Sequence, residues 1–126
     1  MRVPDDLKYT SEHEWIKIDG NAVTVGITDF AQDSLGDIVY VQLPEIGSTF
    51  EINSVLGEVE STKSVSDIYS PIAGSVTEIN EQLNESPEIL NSDPYGQGWI
   101  CKITIQNAAD LEVLLSAEDY STLTSS

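Results

Sequence analysis

Apolar and polar positions alternate in short runs along most of this chain, and turn residues close each run. That is the pattern of a sheet protein built from short strands. Trp15 to Ile18 and Ala22 to Ile27 flank Asp19-Gly20, a dipeptide suited to a tight hairpin. Ile38 to Leu43 is rich in β-branched residues and ends at Pro44, which has no N–H to give a ladder. Val55 to Glu60 and Ser64 to Tyr69 read as a strand pair inside a hairpin at about 54–70, closed by Ser70-Pro71. Gly74 opens Ser75 to Ile79. Trp99 to Ile105 follows as the last strand, with Trp99, Cys101, Ile103 and Ile105 on one face. Helices are few. Thr28 to Leu35 carries a capping hydroxyl and stops at Gly36, and Ser86 to Leu90 offers Pro87 for the first helical position. Asn107…Asp110 and Ser116…Asp119 resemble capping boxes and predict a helical segment over about 108–123, with Leu111, Leu114 and Leu115 as its stripe. Thr122 to Ser126 reads as a frayed tail. Leu43 to Ser48 and Ser70 to Ser75 echo one another 27 positions apart, as two related β-units around a pseudo-dyad would, or as chance would.

Composition narrows the function classes. The chain has 126 residues, with 22 Asp plus Glu against 5 Lys plus Arg, for a formal charge of −17. One domain over 1–126 is expected. A chain so acidic has no basic face for a phosphate backbone and none for anionic lipid, so neither nucleic acid nor membrane is expected as a partner. No run reaches the ~20 apolar residues of a membrane span, and the first residues lack a signal-peptide core. An intracellular protein that docks on other proteins is the expectation, with acidic steering making that docking salt-sensitive.

The chemical inventory is thin. One cysteine rules out an internal disulfide and a cysteine-rich zinc site. Cys101 alternates with Trp99 and Ile103 and reads as a small buried hydrophobe. The one histidine, His13, lies between Glu12 and Glu14, a poor geometry for a shared ion; it reads as structural, and no metal site is expected. Gly96-Gln97-Gly98 reads as a turn without a phosphate site, and Tyr95 and Trp99 as core or rim aromatics. No catalytic constellation is expected, so the chain reads as a non-enzyme. The four lysines are Lys8, Lys17, Lys63 and Lys102. Lys63 alone sits in a slim polar turn, Ser61-Thr62-Lys63-Ser64, with Glu58, Glu60 and Asp67 around it. By itself such a residue reads most simply as a solvated turn lysine with weak surface pairs of ~0–1 kcal/mol.

The wider pattern changes that reading. The segment from Gly57 to Gly74 resembles the lysine hairpin of biotinyl/lipoyl carrier domains. Over nearly the whole chain the sequence resembles the glycine cleavage system H-protein family. The blocks that carry the resemblance run in order from His13-Glu14-Trp15 and Val25 to Gln32 through Leu35 to Val41, Leu43 to Gly47 and Glu60 to Ser64. They continue with Ser70 to Gly74, Asn80 to Leu83, Pro87-Glu88, Asn91 to Gly96 and Gly98-Trp99. Biotin carriers resemble one another in placing methionine on both sides of the lysine, whereas Thr62 and Ser64 flank Lys63 and the single methionine is Met1. Lipoyl domains fused to acyltransferases precede a catalytic domain, for which there is no room.

The resemblance implies a lipoyl-type barrel-sandwich hybrid, mainly β, with a few short helices at its edges and C-terminus. It implies a lipoyl group amide-linked to Nζ of Lys63, its dithiolane at the end of about ten single bonds of ~1.5 Å. It implies a carrier that takes an aminomethyl group from a pyridoxal-phosphate glycine decarboxylase and delivers it to a tetrahydrofolate-dependent aminomethyltransferase. Dihydrolipoamide dehydrogenase would then reoxidise the dithiol, and a lipoate ligase or lipoyl transferase would attach the arm. The carrier contributes positioning and effective concentration. A monomer when free is expected, in the cytoplasm of a bacterium or the mitochondrial matrix. A relay supplying lipoyl groups to other complexes and an interaction domain that is never lipoylated stay open as alternatives. From the residues, Glu12, Glu14 and Asp67 are candidates to hold the ammonium of the loaded arm against the protein.

Overall fold

The computed structural model describes residues 2–125. Among them the chain forms β1 Lys8–Tyr9, β2 Glu14–Asp19, β3 Ala22–Ile27, α1 Asp29–Leu35, β4 Ile38–Gln42, β5 Thr49–Phe50, β6 Val55–Ser61 and β7 Val65–Tyr69. These are followed by β8 Gly74–Ile79, α2 Gln82–Glu85, α3 Ile89–Ser92, β9 Cys101–Ile105, a 3-10 turn Ala108–Val113 and α4 Ala117–Thr124. All pairings between strands are antiparallel, in a six-stranded sheet of order β1-β2-β3-β9-β8-β5 and a three-stranded sheet of order β4-β6-β7. This is the mainly β barrel-sandwich architecture with short edge helices that the sequence leads one to expect.

The apolar alternation explains where the core lies. Ile16, Val23, Val25 and Ile103 from the large sheet face Val41, Val59 and Ile68 from the small one, all buried in one cluster with Leu56, Ile72 and Val76. A second cluster joins Leu7, Tyr9, Trp15, Ala117 and Tyr120, so α4 closes the edge where β1 and β2 begin. At about 25 cal/mol per Å² of apolar area, these faces supply the main stabilising term. Cys101 is fully buried in the first cluster, as its alternation requires, and burial pushes its thiol up to about 12.

Several local expectations need correction. The first hairpin pairs Asp19 with Ala22, so Gly20 and Asn21, not Asp19 and Gly20, are its central residues. The last strand starts at Cys101. Ile100, whose N–H donates to the Val25 carbonyl, is the buried residue there, while Trp99 turns to the second cluster. Helix α3 starts at Ile89, after a turn containing Pro87, so Pro87 is not its first residue. The C-terminal segment is two pieces, because Leu115 leaves the helix to bridge Tyr9. Asn107 and Ser116 cap them through Ala109 N–H and Asp119 N–H, but Asp110 accepts from Ala73 N–H rather than completing a box. The expected tail begins too early, since α4 runs to Thr124; Ser126 lies outside the described residues. The two echoing segments run at their C-terminal ends into the antiparallel pair β5 and β8: Gly47 N–H donates to Val76, Val76 N–H donates to Ser48, and Thr49 pairs with Ser75.

Candidate functional site: the Lys63 hairpin and the acidic loop at its base

Strands β6 and β7 form the expected hairpin, and its tip is held by one side chain. Ser61 Oγ accepts from the N–H groups of Lys63 and Ser64, both at 3.1 Å, while Ser61 N–H donates to the Ser64 carbonyl at 2.8 Å. Thr62 N–H donates to the Asp37 carbonyl at 3.0 Å, which ties the tip to the segment after α1. That helix is capped as its sequence suggests. Thr28 Oγ1 accepts from Ala31 N–H, and Gly36 ends it at φ +82°, a conformation natural only to glycine. A β-carbon at Gly36 would stand 3.1 Å from Lys63 Cε and 3.6 Å from Nζ, so the lysine stem lies directly over the glycine. Lys63 is exposed, and among the described residues Nζ has no hydrogen bond or ion pair. A backbone-locked tip thus presents an uncommitted primary amine.

Register defines the face that leads away from it. Gln42 pairs with Glu58 and Glu58 with Asp67; Tyr40 pairs with Glu60 and Glu60 with Val65. Val65, Asp67 and Tyr69 therefore share one side of β7, running from the tip toward the hairpin base.

At that base lies the loop 10–14. The three carboxylates singled out from the sequence have three different environments. Glu14 is 2% exposed; Oε1 accepts from the Thr10 hydroxyl at 2.7 Å and Oε2 from Tyr69 N–H at 3.1 Å. Burial pushes its carboxyl up to about 7; the two hydrogen bonds oppose the rise and the nearby Glu12 charge adds to it. Glu12 is exposed and lines a cleft of about 130 Å³ with Asn53 and Tyr69. Asp67 is exposed midway along β7. The structure thus gathers Glu12 and Glu14 around Tyr69, six residues from the tip, or ~20 Å of extended strand.

His13 is the hinge between the two glutamates. It adopts φ +70°, a left-handed conformation, with Nδ1 at 2.7 Å from the Tyr120 hydroxyl and its ring 4.7 Å from that of Phe30. Tyr120 also bonds Thr28 Oγ1 at 2.7 Å and stacks on Tyr9. Burial lowers the His13 value below 6.5, against the neighbouring Glu12 charge. Sequence reasoning missed Tyr120 and Tyr69 as partners of this loop. No local signal links residues 107 positions apart. Among the described residues no three His, Cys, Asp or Glu side chains are grouped to hold a metal, and no helix is long and apolar enough to cross a membrane.

Comparison with known proteins gives the family. The model of the family described as glycine cleavage H-protein matches residues 7–126. A glycine cleavage system H protein from Carboxydothermus hydrogenoformans is 55% identical over 121 residues, covering 96% of this chain and 93% of that protein. Another from Symbiobacterium thermophilum is 54% identical, covering 97% and 95%. The crystal structure of a glycine cleavage system H protein from Mycobacterium marinum superposes with a TM-score of 0.84 at 40% identity, over 95% of this chain and 97% of that one. The chain belongs to the glycine cleavage H-protein family, the lipoyl carriers of the glycine cleavage system.

Proposed function

We propose that Lys63 is the lipoyl attachment site and that the chain is a carrier rather than a catalyst. The observation that supports this is the uncommitted amine of Lys63 on a tip whose backbone is fixed by Ser61 and by the Asp37 carbonyl. An amide bond at Nζ removes a charge that no described residue pairs with, so attachment costs the fold no ion pair. The slim flanks, Thr62 and Ser64, leave room for an active centre to close around the amine. When bound, the dithiolane supplies the redox and thiol chemistry that the side chains of this protein lack.

The chain's own residues do three things for that group. Ser61 and Gly36 orient the lysine. Asp67 and Glu12 present carboxylates beside and beyond it, able to receive an ammonium carried on the arm. Glu14, enclosed and bonded to Tyr69 N–H, positions the end of β7 and reaches such an ammonium only if the loop 10–14 opens. As an H protein the chain works with the enzymes of glycine cleavage. We assign these as the pyridoxal-phosphate glycine decarboxylase, the tetrahydrofolate-dependent aminomethyltransferase and dihydrolipoamide dehydrogenase, with a lipoate ligase or lipoyl transferase as modifying enzyme. Its bacterial relatives support a cytoplasmic setting. The test is glycine-dependent NADH formation by the three partner enzymes. The parent supports it after lipoylation; Lys63→Arg, folded and equally charged, does not. Full activity in that variant would overturn the assignment.

A further inference from the structure

Three consecutive residues between α1 and β4 meet the lysine hairpin. Gly36 lies under the Lys63 stem, where a β-carbon would stand 3.1 Å from Cε. The Asp37 carbonyl accepts from Thr62 N–H at 3.0 Å. Ile38 pairs with Ser61, the residue whose hydroxyl holds the tip. Gly36 and Asp37 belong to no helix or strand, and Gly36 turns the chain at φ +82°. Neither ladder nor helix holds them, so the support of this segment has to come from elsewhere.

One distant side chain supplies it. Asn91 stands in α3, 53 positions beyond Ile38. Its Oδ1 accepts from Ile38 N–H at 2.9 Å. Its Nδ2 donates to the Gly36 carbonyl at 2.9 Å and to Gln32 Oε1 in α1 at 3.0 Å. The amide thus grips the backbone on both sides of Asp37. The partners fix its orientation, because an N–H needs an acceptor and a carbonyl needs a donor. Aspartate at this place would offer acceptors only, and a hydroxyl would put donor and acceptor on one atom. The segment that carries Asn91 also reaches the other end of α1, where Tyr95 Oη accepts from Asp29 N–H at 3.0 Å. Asn91 and Tyr95 therefore bracket the helix whose last turn leads into the floor under Lys63.

We propose that Asn91 is a positioning residue for the attachment lysine: it sets the segment that floors Lys63 and ties down Thr62, and so fixes where Nζ is offered. The inference rests on Lys63 being the attachment site. Asn91 touches no reacting atom and acts through Gly36, Asp37 and Ile38. In the attachment step, uncharged Nζ attacks the carbonyl carbon of an acyl-adenylate held by the ligase. The C–N bond forms as the C–O bond to phosphate breaks, AMP leaves with the bonding pair, and Nζ gives up one proton. A displaced nucleophile slows that step without weakening the encounter of the two proteins. The loss therefore falls on kcat and leaves KM alone.

The test uses the unmodified full-length protein with a purified lipoate–protein ligase, lipoic acid and ATP, followed by intact mass and peptide mapping. Asn91→Ala, Asn91→Asp and Asn80→Ala are compared with the parent, each well below its own melting midpoint. Asn80 is the control for lost stability. Its Nδ2 donates to the Gln97 and Trp99 carbonyls at 2.7 and 2.8 Å, away from the segment 36–38. Asn91→Ala lowers kcat about three- to tenfold with KM unchanged, the effect of a misplaced nucleophile. Asn91→Asp, left with only the acceptor for Ile38 N–H, falls with Asn91→Ala, and Asn80→Ala keeps the parent's kcat. Hydrogen exchange reads the tie without any activity: Thr62 N–H exchanges about tenfold faster in Asn91→Ala and at the parent's rate in Asn80→Ala. A parent-like kcat in either folded Asn91 variant, parent-like exchange of Thr62 in Asn91→Ala, or an equal kcat loss in Asn80→Ala overturns the proposal while Lys63 stands as the attachment site. Acylation of the parent at another lysine overturns the site and the proposal together.

Discussion

Lys63 Cε lies over Gly36, close enough that a β-carbon there would meet it at 3.1 Å. The glycine that ends α1 is therefore also the floor under the amine. Its φ of +82° already excludes other residues at low cost. Gly36→Ala is expected to lower stability by about 1–3 kcal/mol through backbone strain. A lower denaturant midpoint with an unchanged m-value is the signature. The added methyl also displaces the lysine stem, so acylation of this variant slows even where it is fully folded.

Glu14 makes stability fall as pH rises. Its folded value is raised to about 7 from 4.5, so between those values the unfolded chain gives up a proton that the folded one keeps. Ionisation then favours unfolding, by about 3 kcal/mol at most once pH exceeds 7. Glu14→Gln keeps an acceptor for Tyr69 N–H and never ionises. It is expected to be more stable than the parent at pH 8 and equal to it near pH 4, by chemical denaturation. Lower stability at pH 8 would contradict this account of Glu14.

His13 slopes the other way. Its folded value is lowered below 6.5, so as pH falls through 6.5 the unfolded chain takes up the proton first and stability declines. In Glu14→Gln this is the slope left of the two, and stability should rise with pH up to about 7. Tyr120→Phe removes the hydroxyl that His13 and Thr28 share. A loss of about 1–3 kcal/mol is expected from the buried bonds. The ring of Phe keeps His13 buried, so the imidazole should still titrate below 6.5, as an NMR titration would read.

The exposed carboxylates should govern how long a loaded carrier keeps its amine. Asp67→Ala and Glu12→Ala are expected to release formaldehyde spontaneously several-fold faster than the parent, since a charge-assisted bond to an ammonium contributes ~1–3 kcal/mol. Equal release rates in both variants would remove these two residues from that role.

Much of this was legible in the sequence, for a local reason. Thr28 and Gly36 around α1, Ser116 before α4, and Lys63 between two alternating strands each announce themselves within a few residues. What escaped depends on distant partners or on too few residues. β1 and β5 have two residues each, too short for any period, and exist because β2 and β8 offer them edges. Glu14 reads as one of two exposed acids flanking His13. Only the packing of Tyr69 and Thr10 around it makes it a buried carboxyl. Trp99 keeps the parity of the last strand on paper, but Ile100 takes its place in the core because the strand proper begins two residues later, at Cys101. Asp110 has the spacing of a capping box, and a backbone N–H from Ala73 claims it instead.

We infer that one lysine of four, Lys63, carries the arm. Peptide mass mapping of the protein after incubation with lipoate ligase, lipoic acid and ATP tests it directly. A single added lipoyl group is expected, wholly on the peptide containing Lys63, and none on Lys63→Arg. A lipoyl group on Lys8, Lys17 or Lys102, or an unmodified Lys63 in the parent, would contradict it.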